Sequence, residues 1–299
     1  MTGQIGWRRA GIKHRSHEIY LDVLESVSLL VSPTGGVLSQ SVSGVVHVKC
    51  LLSGMPECKF AINDKLTVAG KDKARIESAS SPGSKSSKKD VAKKDPITID
   101  DLTFHQCVKL GTFDTDRSIT FVPPDGEFDL MKYRTTQDII SPFTIHPNVQ
   151  ENGNSLDITV NLKANFGLPG TDTSESNLEA TKIEIIIPVP TTTAKADIEC
   201  TLGKAKYKPG QNAVVWKIAH CMGGKNAVCK INIALLGNAS DRKKWSKPPI
   251  SINFEVPFAC SGLSVRYLKL NERTLGYDDS KVKKWVRYIS RSGEFEIRY

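Results

Sequence analysis

Apolar side chains recur at every second position in segment after segment of this chain, and that period is the tightest constraint on its fold. Leu156, Ile158, Val160 and Leu162 alternate with polar neighbours, as do Ala194, Ala196, Ile198, Cys200 and Leu202. A period of two sends successive side chains to opposite faces of a strand, whereas a helix needs apolar residues three or four apart. Residues 183–187, 213–218, 231–236 and 250–256 read as further strands, and no long stretch repeats at helical spacing. Turn residues punctuate them at Pro123-Pro124-Asp125-Gly126, Pro209-Gly210 and Pro248-Pro249. Such punctuation between alternating segments predicts an all-β protein of sandwich type.

With 299 residues, 39% of them hydrophobic, the chain is long enough to bury a sizeable core in one elongated or two compact domains. Residues 70–95 are rich in Lys, Ser, Asp and Ala and nearly lack large apolar side chains, the composition of a disordered insertion. Passages between sheets are expected near Ser141-Pro142 and across 257–261. No apolar run approaches the roughly 18 residues of a membrane-spanning helix, and the start does not resemble a signal peptide. The seven cysteines include no Cys-x-x-Cys, and the 50/58 and 221/229 spacings are too wide for a zinc motif. Reduced cytosolic thiols and no metal or other cofactor are expected.

Two segments near the chain ends are two-faced. In residues 283–289, Trp285 and Arg287 share one strand face, and an indole beside a guanidinium suits an aromatic ring with a polar tip. In residues 18–23, Tyr20 and Asp22 share a face opposite Ile19, Leu21 and Val23. Side by side in one sheet, Tyr20, Asp22, Trp285 and Arg287 would wall a pocket for a phenol, with Leu21 and Val286 serving an apolar pocket. The plainer alternative is a core Trp285 and a solvated Arg287.

The formal net charge of +9 favours an anionic partner, a nucleic acid or a membrane leaflet. Lys204, Lys206 and Lys208 share one strand face, and a turn at 209–212 would pair Lys208 with Ala213, Lys206 with Val215 and Lys204 with Lys217. Facing lysines repel, so an anion between them is the natural complement; a solvated lysine face is the alternative. Tyr207 and Trp216 would fall on the opposite face, unavailable for base stacking, which favours a compact headgroup over a nucleic acid. Arg8, Arg9, Lys13, His14 and Arg15 form a further basic cluster, either part of a membrane-facing field or a basic linker.

No phosphate-binding loop, Gly-x-Ser-x-Gly or His-Glu-x-x-His occurs, and the six histidines are scattered. His105-Gln106-Cys107 raises a thiol nucleophile as a possibility, against the simpler reading of a buried strand cysteine. A non-enzymatic role is expected.

These segments, together with Gly6-Trp7-Arg8-Arg9, Leu52-Ser53-Gly54-Met55-Pro56-Glu57-Cys58-Lys59-Phe60, Phe121-Val122-Pro123-Pro124-Asp125-Gly126-Glu127-Phe128 and Phe254-Glu255-Val256-Pro257-Phe258, are specific in length and order. The chain resembles, over essentially all of its length outside the insertion, the C-terminal cargo-binding (mu homology) domain of the medium chain of clathrin adaptor complexes. The plasma-membrane adaptor is the nearest match in this resemblance; a medium chain of Golgi or endosomal traffic is the alternative.

The resemblance implies an elongated pair of β-sandwich subdomains, the second inserted into the first: 1–141 with 259–299, and 142–258. It implies binding of Tyr-x-x-Φ sorting signals, Φ being a bulky apolar residue, with Tyr20, Asp22, Lys49, Trp285 and Arg287 as the tyrosine pocket. Ile19, Leu21, Val265, Leu268, Lys284 and Val286 match the Φ pocket. Lys204, Lys206, Tyr207, Lys208 and Lys217 match a phosphatidylinositol 4,5-bisphosphate site, and Thr2 a linker threonine phosphorylated by an adaptor-associated kinase. Implied partners are two large chains and one small chain, with action at the cytoplasmic face of the plasma membrane in clathrin-coated pits and no nucleic acid. The family's amino-terminal complex-forming domain has no counterpart, so Met1 is expected to be an introduced start. Tyr20 stands where the plasma-membrane member usually has Phe.

Overall fold

The computed structural model describes residues 5–63, 97–111, 113, 118–167, 177–237, 245–272, 275–277 and 279–299. Thr2 and the proposed insertion at 70–95 lie outside the described residues. The described residues form strands β1 (Glu18–Val31), β2 (Val37–Leu51), β3 (Glu57–Ile62), β4 (Asp101–Phe104), β5 (Ile119–Phe121), β6 (Gly126–Thr135), β7 (Phe143–Asn152) and β8 (Ser155–Ala164). They continue with β9 (Glu179–Pro188), β10 (Thr193–Cys200), β11 (Lys204–Lys208), β12 (Ala213–Met222), β13 (Asn226–Leu235), β14 (Ile250–Val256), β15 (Val265–Asn271) and β16 (Lys283–Ile297). The all-β class expected from the alternation is what the chain adopts.

The chain divides into two units, one of Met1–Glu25, Ser43–Ile139 and Ser261–Tyr288, the other of Ser26–Val42, Ile140–Cys260 and Ile289–Tyr299. The division expected from sequence put 26–42 and 289–299 with the first unit. Strand length explains the difference. β1, β2 and β16 run 14, 15 and 15 residues, far beyond the usual strand, and β16 gains a further neighbour part-way along. β14 pairs with β16 from Ser290 to Ile297, which assigns that end to the second unit.

In the first unit the strand order β16-β1-β2-β6-β4 forms one sheet and β15-β3-β5 another. The alternation of β1 is resolved as expected, with Ile19, Leu21 and Val23 fully buried beside Val46, Val48, Phe60, Phe121 and Leu130. Glu25 anchors a polar cluster in this core. The Glu25 carboxylate accepts from the Tyr133 hydroxyl at 2.7 Å and the Ser261 backbone N–H at 3.2 Å. Gly44 makes room for that tyrosine, since a Cβ there would lie 2.1 Å from its ring.

Arg8 departs from expectation. Instead of adding to a basic surface it is 4% exposed, and its guanidinium donates to the carbonyls of Gly54 at 2.8 Å, Pro123 at 3.0 Å and Leu52 at 2.5 Å. Its planar fork joins two segments, 52–54 and Pro123, that share no strand ladder with it. The neighbouring Trp7 indole donates to the Val122 carbonyl at 2.9 Å. Arg9, Lys13 and Arg15 remain exposed.

In the second unit β11-β12-β9-β14-β16 are successive neighbours, and β10-β13-β8-β7 form a separate sheet. Leu156, Ile158, Val160 and Leu162 of β8 and Ile183, Ile185 and Ile187 of β9 are buried, as their period predicts. The strand expected to reach Leu202 stops at Cys200. Gly203, at φ 76, turns the chain there into β11, and Leu202 is left exposed.

Arg8→Ala leaves two buried carbonyls and one part-buried carbonyl without their donor, each buried one costing on the order of 1–3 kcal/mol. Urea denaturation should show a loss of about 3 kcal/mol or more; a loss below about 0.5 kcal/mol would mean that water replaces the guanidinium freely.

Candidate functional site

Within the first unit β1 borders β16 on one side. β14 pairs with β16 only from Ser290 onward, so among the described residues no strand covers the other edge of 283–289. Trp285 and Val286 are 45% and 38% exposed there. The Trp285 ring stacks on Tyr20 of β1 with centroids 4.6 Å apart and planes 6° from parallel. Arg287 donates through Nε to Asp22 Oδ1 at 2.9 Å and through Nη2 to Oδ2 at 2.5 Å, a bidentate pair. The structure therefore brings Tyr20, Asp22, Trp285 and Arg287 together.

Tyr20 backs the indole instead of facing it across a gap, so a ligand ring has the remaining exposed surface of Trp285 beside Arg287. The Tyr20 hydroxyl turns to Glu18, donating to Oε2 at 2.7 Å. That bond is the largest cause holding the Glu18 carboxyl below its ordinary value, and it pushes the Tyr20 phenol up. Lys49, on the adjacent β2, donates to Glu127 Oε1 at 2.9 Å. This exposed pair holds the Glu127 carboxyl down, and exposed pairs of this kind exchange easily.

The other face of β16 turns to β15. Lys284 donates to the Leu268 carbonyl at 3.0 Å and pairs with Asp279 at 2.5 Å, while the Val265 N–H donates to the Tyr288 hydroxyl at 2.9 Å. Both backbone groups belong to β15, so the even-numbered residues of β16 face β15 with Val286 between them. Val265, Leu268, Lys284 and Val286 thus gather on this side, with Ile19 and Leu21 buried on the inward face of β1.

In the second unit the lysine hairpin has the register read from sequence, Lys204 opposite Lys217, Lys206 opposite Val215 and Lys208 opposite Ala213. Its turn is a single 3-10 turn at Pro209–Gln211, closed by Asn212 at φ 46. Gly203 is obligatory, because a Cβ there would lie 2.3 Å from the Lys217 carbonyl oxygen. A depression of about 770 Å³ lies on this face, lined by Lys182, Glu184, Lys204, Lys206, Lys208 and Lys217 among others. Glu184 pairs with Lys217 at 3.0 Å. Among the described residues no carboxylate pairs with Lys204, Lys206 or Lys208.

Lys182 was not legible as part of this site. It sits at φ 55, in a bulge where the β14–β9 register shifts between Asn253 and Glu255, and donates to Glu255 at 3.0 Å. Glu255 also accepts from Arg291 at 2.9 Å, and the two cations hold its carboxyl below the usual range. Tyr207 is half-buried, while Trp216 is fully buried with its indole N–H donating to the Leu202 carbonyl at 2.7 Å. Neither face of Trp216 is available to a base. Cys107 is buried and its thiol is pushed up to about 12 by desolvation, so it lacks the thiolate a nucleophile needs near neutral pH.

The family model described as the adaptor complexes medium subunit family matches residues 5–299. The AP-2 complex subunit mu of Caenorhabditis elegans is 50% identical over 300 residues, covering 100% of this chain and 64% of that protein. The AP-2 complex subunit mu of Dictyostelium discoideum is 42% identical over 300 residues, covering 99% of this chain and 64% of that protein. The chain thus spans about 64% of the length of these relatives. Among solved structures, the yeast delta-COP-I mu-homology domain superposes with a TM-score of 0.62 at 13% identity, over 96% of this chain and 100% of that one. The Danio rerio Fcho1 mu homology domain with bound Eps15 peptide gives 0.58 at 11% identity, over 98% and 99%. At such identities these two likenesses establish the fold alone.

Tyr20→Phe removes the donor to Glu18 and keeps the ring. An NMR pH titration should show the Glu18 carboxyl rising toward its ordinary value, while ring-current shifts from Trp285 persist. An unmoved Glu18 titration would show that the hydroxyl points elsewhere in solution.

Proposed function

Because the chain belongs to the adaptor complexes medium subunit family, we propose that it is a cargo-recognition domain for Tyr-x-x-Φ sorting signals, working at the cytoplasmic face of the plasma membrane in clathrin-coated pits. The observation that carries this reading is the uncovered edge of 283–289, with an aromatic and charged site on one face and an aliphatic site on the other. In an extended peptide, residues three apart point to opposite faces. A Tyr and a Φ so spaced therefore reach these two sites at once, while main-chain bonds to β16 hold the segment between them.

The tyrosine ring packs on the exposed indole, and its hydroxyl donates to Asp22 and accepts from Arg287. A carboxylate oxygen accepts more than one hydrogen bond, so Asp22 serves both partners. A Phe in the ligand would leave the charged pair without its polar partner and is rejected. Val265, Leu268, Val286 and the Lys284 stem receive the Φ side chain.

The depression between β11, β12 and β9 takes the headgroup of phosphatidylinositol 4,5-bisphosphate. Lys206 and Lys208, with no carboxylate partner among the described residues, and the facing lysines 204 and 217 supply the charge, and a buried Trp216 favours a headgroup over stacked bases. Assembly with two large chains and one small chain, and phosphorylation at Thr2 by an adaptor-associated kinase, belong to the same reading.

Calorimetry with a Tyr-x-x-Φ peptide tests the first site. Phosphorylating the peptide tyrosine adds nearly two negative charges facing Asp22, and binding should fall at least tenfold; Asp22→Ala should abolish recognition of the plain peptide. Equal affinities for plain and phosphorylated peptides would remove the tyrosine from this pocket.

Lys204→Glu combined with Lys206→Glu should weaken binding to vesicles containing the phosphoinositide, the wild-type affinity itself falling steeply with salt. Peptide affinity should stay within about twofold, since the lysines lie outside the peptide site. A parallel loss in both assays, with circular dichroism unchanged, would place the lysines in support of the peptide site instead.

A further inference from the structure

Among the seven cysteines two meet in space although 29 positions separate them. Cys200 ends β10 and Cys229 lies in β13, directly opposite in the antiparallel register, with the Cys200 thiol donating to the Cys229 sulfur at 3.2 Å. The spacing of the cysteines offers no sign of this, because register and not sequence distance decides who faces whom. The next pair along, Thr201 and Val228, is joined by a backbone bond from the Thr201 N–H to the Val228 carbonyl at 2.9 Å. Hydrogen-bonded and non-hydrogen-bonded pairs alternate in an antiparallel ladder, so Cys200 and Cys229 occupy a non-hydrogen-bonded pair. Such pairs hold their Cα atoms about 4.5 Å apart, within the span a disulfide accepts.

The two thiols differ in access. Cys229 is fully buried and burial pushes its thiol up, whereas Cys200 is the one cysteine of the seven that is not buried. An oxidant from solvent therefore meets Cys200 first.

We propose that Cys200 and Cys229 form a reversible redox pair that closes to a cross-strand disulfide under a small disulfide oxidant such as glutathione disulfide. The Cys200 thiolate attacks one sulfur of glutathione disulfide, whose S–S bond breaks, and one glutathione leaves as its thiolate and takes up the proton that Cys200 lost. Cys229 then gives its proton to solvent and its sulfur attacks the Cys200 sulfur. That step releases the second glutathione thiolate, which is protonated in turn. The two cysteines are oxidised and one glutathione disulfide is reduced to two glutathiones. Because the partners already face each other, β10 and β13 keep their register as the bridge forms. Thr201, Leu202 and Gly203 separate Cys200 from the lysine strand β11, so the bridge ties the entry to that strand onto β13.

The test incubates the folded chain with glutathione disulfide and maps peptides without reduction. The expected product is a peptide pair linked through Cys200 and Cys229, with loss of two of the seven free thiols and full recovery in dithiothreitol. Cys229→Ser should accumulate a stable glutathione adduct on Cys200. Cys200→Ser, a change at a half-exposed position, should leave the chain unreactive and guards against a folding failure at the buried site. A wild-type chain that ends with a stable glutathione adduct on Cys200, that links other cysteines, or that does not react would overturn the proposal.

Discussion

The uncovered edge of β16 exists because a proline ends the ladder beside it. β14 pairs with β16 down to Val256 and Ser290, and the next residue of that strand is Pro257, which has no N–H to donate and cannot extend a sheet interior. Ser290 closes the end: its hydroxyl donates to the Phe258 carbonyl at 2.6 Å and accepts from the Cys260 N–H at 3.2 Å. The seven residues before it are left with one open side. Bare edges invite unwanted strand pairing, and this one carries Lys283, Lys284 and Arg287, charges that discourage a nonspecific neighbour. In the proposed function, a cognate peptide would have to supply groups that satisfy them.

The lysine hairpin follows a different logic, one of partial compensation. Lys217 is answered by Glu184 and Lys182 by Glu255, which lets five cations share one depression with limited mutual repulsion. Full compensation would erase the positive potential, and none would destabilise β11 against β12. Exposed pairs of this kind contribute little to stability, so their value lies in holding Lys182 and Lys217 in place around Lys204, Lys206 and Lys208.

Alternation made most of the sheet structure readable. In β1, β8, β9 and the β11–β12 hairpin, the period of two fixes which side chains face inward, and with the turn at Pro209-Gly210 it fixes the register as well. The meeting of Tyr20 with Trp285 and Asp22 with Arg287 followed from the same parity once the two strands were neighbours. Features that depend on which distant segments touch stayed hidden. Arg8 looks like one of a basic run, yet three carbonyls from elsewhere in the chain draw it inside. Lys182 gives no local sign of a bulge, since a left-handed lysine is held by the strands around it and not by its own preference. The partner change along β16 is likewise invisible in its regular alternation, and it moved the boundary between units.

Tyr20 brings a hydroxyl into a position where the resembling plasma-membrane member usually carries Phe, and its geometry explains how the proposed site would tolerate the extra donor. Glu18, Tyr20 and Asp22 share one face of β1 by parity, so the hydroxyl has two carboxylates within its strand to choose from. Had it bonded Asp22, it would compete with an incoming phenol for the same acceptor. It bonds Glu18 instead, which Lys283 also flanks at 3.7 Å, and Asp22 is left to Arg287. The ring stays flat on Trp285, where it stiffens the indole without lengthening the pocket. Glu18 thus acts as the acceptor that keeps the additional hydroxyl away from Asp22, so that in the proposed function the aromatic support would survive the exchange of Phe for Tyr.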